Sequence, residues 1–103
     1  KLFDGKLLSP KSTAFVVQAM KDCATGTDRL KAGLAPGWTL AHKTGTSSSW
    51  KGVAAATNDV GVMTAPDGTK IAVAVFVGDS TASDKQRAAF IAKVSALTIK
   101  HYR

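Results

Sequence analysis

Ala41-His42-Lys43-Thr44-Gly45-Thr46 is the stretch on which the rest of the chain is organised: an apolar-entry strand that ends in a Lys-Thr-Gly triplet followed by a second hydroxyl. Lys43 offers a point positive charge and Thr44 a hydroxyl, while Gly45 has no Cβ and lets a flat ligand lie against the strand backbone. Together they describe one wall of an anion-binding acyl-transfer site.

Outward from the triplet, the strand is expected over residues 38–44, entered from a Pro36-Gly37 turn. Ser47, Ser48, Ser49 and Gly52 make the following segment a loop holding Trp50 and Lys51. A second strand is expected over 53–64, polar in its middle at Thr57, Asn58 and Asp59. Pro66-Asp67-Gly68 then turns the chain into a third strand over 70–78. That third strand is apolar on both faces, with Ile71, Val73, Val75 and Val77 on one and Ala72, Ala74 and Phe76 on the other. A strand wet on one side would alternate with polar residues, so both faces are expected to be covered.

Helices flank these strands. Ser9-Pro10 is a serine cap with proline at the first helical position, opening a helix expected over 9–23. Its apolar run, Ala14, Phe15, Val16, Val17, Ala19 and Met20, is wide enough to predict burial on more than one side. A short helix is expected over 28–33, ended by Gly33. The last helix, over 83–100, opens with Ser83 and Gln86 at capping-box spacing and carries Phe90, Ile91, Val94 and Leu97 at helical period. The fold class is α+β, of three-layer α/β/α sandwich type: three antiparallel strands of a larger antiparallel sheet, flanked by helices and incomplete in this chain.

Composition narrows the function. At 103 residues the chain is one small domain or a piece of one, and 45 % hydrophobic with 20 % charged residues is ordinary globular material. The net charge of +7 would suit a polyanion, but the basic residues are scattered with no interleaved aromatic stripe, so nucleic-acid binding is not expected. No stretch approaches the roughly 20 apolar residues of a membrane-spanning helix, so no membrane partner is expected. Cys23 is the single cysteine, which leaves no internal disulfide and no cysteine-based metal site. It reads as a buried small hydrophobe. The chain opens at Lys1 without a basic-then-apolar leader, which suits a processed, trimmed or cleaved polypeptide.

The run Thr25-Gly26-Thr27-Asp28-Arg29-Leu30-Lys31-Ala32-Gly33-Leu34, then Gly37-Trp38, then the triplet, then Ala56-Thr57-Asn58-Asp59-Val60-Gly61, the Pro66-Asp67-Gly68 turn and the closing Ile99-Lys100-His101-Tyr102 closely resembles the C-terminal part of a class A serine β-lactamase. Penicillin-binding proteins share the triplet but not the run from Thr25 to Trp38. The resemblance implies that Lys43 holds the substrate carboxylate and sets the electrostatics around the nucleophile. It implies that Thr44 hydrogen-bonds the carboxylate beside Gly45, and that the Thr46 backbone N–H forms half of the oxyanion hole. Some members of the family carry a carboxylate-binding arginine on the strand after the triplet, where this chain has Asn58 and Asp59. Arg29, in the turn before it, is therefore the candidate, a planar fork suited to a carboxylate.

The same resemblance implies a β-lactam substrate, a serine acyl-enzyme, no cofactor or metal, and a periplasmic or secreted enzyme. It also implies a partner: an N-terminal portion of the same enzyme bearing the nucleophilic serine, a Ser-Asp-Asn loop and the glutamate that activates water, with a cysteine there open to pairing with Cys23. This chain contains no glutamate. A literal Ser-x-x-Lys at Ser48-Ser49-Trp50-Lys51 lies in a loop and reads as chance, and Ser83-Asp84-Lys85 reads as a helix cap. Taken alone, the segment is expected to be inactive. His42, a base by residue type, has no catalytic counterpart in the family and is expected to be a structural neighbour of the site; His101 is expected to be exposed. Trp38 and Trp50 read as core and loop packing, Trp50 beside the site mouth. The alternative reading is a penicillin-binding-protein-like or non-catalytic carboxylate-binding module.

Overall fold

Ser9 accepts a hydrogen bond from the Ser12 N–H at 3.2 Å and Pro10 fills the first helical position, so helix α1 (Pro10–Lys21) starts where its cap dictates. The computed structural model describes residues 1–102. After α1 come a single 3-10 turn (Leu30–Gly33), strand β1 (Thr39–Thr46), strand β2 (Ser49–Trp50), strand β3 (Val53–Thr64), strand β4 (Lys70–Ser80) and helix α2 (Asp84–His101). Ser83 and Gln86 form the reciprocal capping box that opens α2. The segment expected as a helix over 28–33 is only the 3-10 turn.

All four strands form one antiparallel sheet. β3 is its centre: β1 and β2 lie along one edge and β4 along the other. The expected loop between the first two long strands is partly a hairpin. Ser49 and Trp50 pair with Ala54 and Val53, and the two turn residues, Lys51 (φ 50°) and Gly52 (φ 78°), both take the left-handed region that a two-residue hairpin favours. The Asp67 carboxylate accepts from the Thr69 N–H at 2.9 Å in the other hairpin, and that hydrogen bond holds its carboxyl below the usual range.

Register assigns the faces. Leu40, His42, Thr44 and Thr46 share a face with Met63, Gly61, Asp59 and Thr57 and with Ile71, Val73, Val75 and Val77. α2 and the 3-10 turn cover it. Leu30, Val75 and Ile91 form the core there, with Leu40, Val73, Val77 and Val94 packed around them. Gly33 lets the turn and α2 touch, since a Cβ at that position would stand 2.1 Å from the Ala92 carbonyl oxygen. Arg87 is buried in the same layer, its Nε donating to the Thr57 hydroxyl at 2.8 Å.

The opposite face departs from expectation. Ala72, Ala74 and Phe76 are exposed, Phe76 at 70 %, because α1 lies against β1 and does not extend over β4. α1 itself has no buried residue, and Phe15 is 76 % exposed. Its wide apolar run therefore meets the sheet along one side only. Cys23 and Trp38 are half-buried instead of core, and Trp50 is exposed, with the Lys51 ammonium 4.5 Å from its ring centroid.

Candidate active site

β1 has a strand neighbour on one side only among the described residues, which leaves the outer edge of the triplet open. Beyond it, the Ser47 N–H donates to the Ala56 carbonyl at 2.9 Å across the ladder. Backbone groups alternate sides along a strand, so the N–H groups of Thr46 and Thr44 point the other way, to the open edge. Thr46 therefore presents its backbone N–H to the open edge, at the position that the family resemblance implies forms half of an oxyanion hole. At Gly45 a Cβ would meet only Asn58, at an ordinary contact distance of 3.6 Å, so no contact within the described residues demands glycine there. Lys43 is exposed, its ammonium donating to the Thr44 carbonyl at 2.5 Å.

Arg29 joins this edge from the segment between α1 and the 3-10 turn. Its Nη1 donates to the carbonyls of Gly45 (3.1 Å) and Asn58 (2.8 Å), and its Nη2 to the Thr46 hydroxyl at 2.5 Å. Of the five guanidinium donors, two remain free of these contacts. Arg29 is half-buried, so the charge is partly desolvated and held in place by backbone oxygens. The structure thus brings Arg29, Thr44, Gly45 and Thr46 together, with Lys43 projecting from the opposite face of the same strand.

Two contributors were not identified from sequence. The Thr25 hydroxyl lies 2.7 Å from that of Thr44, and the Cys23 thiol lies 3.4 Å from the Thr25 hydroxyl. A second hydroxyl thus stands beside Thr44. The Thr25-Gly26 start of the run before Arg29 was the available signal, but nothing local ties it to a strand 19 positions later. The other contributor is a buried pair beneath the edge. His42 Nδ1 lies 2.8 and 3.1 Å from the two Asp59 oxygens, and Asp59 also accepts the Leu30 N–H at 3.2 Å. His42 stands opposite Gly61, where a Cβ would stand 2.4 Å from the Ala41 carbonyl oxygen and 2.8 Å from the histidine Cβ, so only glycine fits against β1 there. Burial pushes the Asp59 carboxyl up, opposed by the His42 hydrogen bond and charge and by the Leu30 N–H. His42 is thus a structural neighbour of the triplet, as expected.

Neither Ser48 nor Ser49 is placed as a nucleophile: both are exposed, and Lys51 lies over Trp50. A cavity of about 500 Å³ lies where α1 meets the entry of β1, between Phe3, Val17, Lys21, Leu40, Ala41 and Lys70, and none of Lys43, Thr44, Gly45 or Thr46 lines it. It marks where α1 meets the sheet loosely. Among the described residues no group of three or more His, Cys, Asp or Glu could hold a metal ion, and no helix is long and apolar enough to cross a membrane.

Residues 1–102 match the family model described as the β-lactamase enzyme family. The chain is 42 % identical over 97 residues to β-lactamase VEB-1 of Pseudomonas aeruginosa, covering 94 % of this chain and 32 % of that protein. The crystal structure of TLA-1 extended-spectrum β-lactamase superposes with a TM-score of 0.95 at 36 % identity, over 99 % of this chain and 37 % of that one. A class A β-lactamase from Bacteroides cellulosilyticus gives 0.89 at 34 % identity, over 96 % and 36 %. The chain spans about a third of the length of the curated relatives it matches.

Proposed function

The chain belongs to the class A serine β-lactamase family, and from that premise we propose that it forms the carboxylate-binding and oxyanion wall of an enzyme that hydrolyses the β-lactam ring of penicillins and cephalosporins. The observation that carries this reading is Arg29 seated on Gly45 and Thr46 with two donors to spare. The substrate carboxylate is received by the Thr44 hydroxyl, supported by Thr25, and by the Arg29 guanidinium. That anchors the ring along the open edge of β1 and places its carbonyl oxygen at the Thr46 N–H. As a serine oxygen attacks the carbonyl, negative charge develops on that oxygen, where a preorganised donor contributes on the order of 10²–10³ in rate. The carbon–nitrogen bond then breaks, the ring nitrogen takes a proton, and water later hydrolyses the serine ester. Lys43 lowers the energy of the anionic states.

The serine, the Ser-Asp-Asn loop and the glutamate lie outside these residues, in a remaining portion of the enzyme. The outer edge of β4 and the exposed Phe76 and Phe15 are the surfaces on which that portion packs. The enzyme works in the periplasm or outside the cell. Thr46 extends its range: a hydroxyl held by Arg29 beside the oxyanion donor can contact bulky acyl side chains, in line with the extended-spectrum description of TLA-1. Thr46→Ala is expected to lower oxyimino-cephalosporin turnover relative to penicillin, and an unchanged ratio would sink that part of the reading.

The main test is the complete polypeptide that carries this segment, incubated with a slowly hydrolysed penicillin and analysed by intact mass and peptide mapping. One β-lactam should be found on a serine outside residues 1–103, and the same sample should hydrolyse nitrocefin. A protein that binds penicilloate without turnover, or an adduct on Ser48 or Ser49, would overturn the proposal.

A further inference from the structure

Asp59 is fully buried and His42 is 2 % exposed, yet neither faces the open edge of β1 where substrate is received. A buried carboxylate is costly unless its oxygens are used, and here both are. Oδ1 meets His42 Nδ1 at 2.8 Å, while Oδ2 meets both the same nitrogen at 3.1 Å and the Leu30 N–H at 3.2 Å. One arm ends on the residue before Lys43, inside β1. The other ends on the residue after Arg29, at the start of the 3-10 turn. Asp59 is also paired in register with Thr44 and sits next to Asn58, whose carbonyl holds Arg29.

We infer that Asp59, through His42 and the Leu30 N–H, is a positioning residue that fixes the segment carrying Thr25 and Arg29 against the triplet strand, and so sets the enzyme's preference for a carboxylate on its substrate. Segment and strand are otherwise joined at this end by the hydrogen bonds of Thr25 and Arg29 themselves. Those are the same side chains that receive the ligand carboxylate. Asp59 supplies an attachment that substrate cannot displace, because it is out of reach beneath the strand. The required feature is the pair of hydrogen-bonded contacts, one to His42 and one to the Leu30 N–H, rather than the charge. An asparagine can still accept from Leu30 with its oxygen, and can donate from its amide to a His42 nitrogen left unprotonated.

The inference rests on the β-lactamase reading, and the experiment separates the two. In the complete enzyme, kcat/KM is measured for benzylpenicillin and for its methyl ester, which lacks the carboxylate, in the parent, Asp59→Ala and Asp59→Asn. The parent should prefer the acid. Asp59→Ala should lose about tenfold on the acid, the worth of a weakened charge-assisted contact, and under about twofold on the ester. Asp59→Asn should restore the parent preference to within about twofold, the conservative rescue that a bulk loss of stability would not give. Equal losses on acid and ester, or an unrescued Asp59→Asn, would overturn the inference. If Asp59→Ala yields no folded enzyme, His42→Ala, which removes one arm, carries the same expectation. Failure of both to fold would also overturn it, since the pair would then hold the fold and not the site. A parent that hydrolyses neither compound overturns the functional reading instead.

Discussion

Under α2 the sheet is closed by Leu30, Val75 and Ile91 and by polar groups that satisfy one another, whereas the face α1 crosses leaves Ala72, Ala74 and Phe76 in solvent. Both faces of β4 are equally apolar in sequence. The difference is therefore one of cover rather than of composition. α2 follows β4 directly and is capped by its own Ser83, so it folds back over the strand it leaves. α1 is separated from the sheet by the Thr25–Arg29 segment and lies against β1, the strand carrying the triplet. The closed face also bears the site's supporting groups, since Thr44, Thr46, Asp59 and His42 all point to it.

Substitutions at three positions test this contrast. The largest effect is expected for Phe76→Ala in the complete enzyme. If further strands cover that face, loss of the ring should cost about 3–5 kcal/mol in urea unfolding; a cost under about 0.5 kcal/mol, normal for a surface position, would mean that the face stays open. Ile91→Ala, in the closed core, should cost about 2–5 kcal/mol whether or not the other face is covered. A cost well below that would show that the α2 layer is not packed as described. Arg29→Ala, which removes the three hydrogen bonds that seat the guanidinium, should cost about 1–3 kcal/mol in urea unfolding and lower kcat/KM for carboxylate-bearing β-lactams by about 10- to 100-fold, the worth of a hydrogen bond to a charged group. Arg29→Lys should not recover it, because an ammonium cannot span Gly45, Thr46 and a ligand as a fork does. Full activity in either variant would remove Arg29 from the site.

What could be read from the sequence was local chemistry or a run of matched motifs. Ser9-Pro10, the Ser83–Gln86 box and Pro66-Asp67-Gly68 each state their own geometry within a few residues, and the structure has all three. The long strands follow from their apolar runs, with β1 and β4 each reaching two residues further than expected, to Thr46 and Ser80. The β2 hairpin was missed because its turn places Lys51 at positive φ, where glycine or asparagine would have advertised it. The exposure of Phe76 was missed because alternation reports what a strand is suited to pack against, not what is present. The contacts of Thr25 with Thr44 and of His42 with Asp59 join residues 19 and 17 positions apart. They exist only once the antiparallel register and the 3-10 turn are set, and no pattern within one element encodes them.

Nitrocefin hydrolysis by the complete polypeptide, parent against Lys43→Ala, tests most directly whether the triplet edge is an acyl-transfer wall. Lys43 is exposed and its loss should shift stability by no more than about 0.5 kcal/mol. With folding thus preserved, kcat/KM is expected to fall by about 100-fold or more, the scale of removing one electrostatic contributor to an anionic transition state. An inert parent, or a Lys43→Ala variant within about twofold of it, would contradict the assignment of this edge to β-lactam hydrolysis.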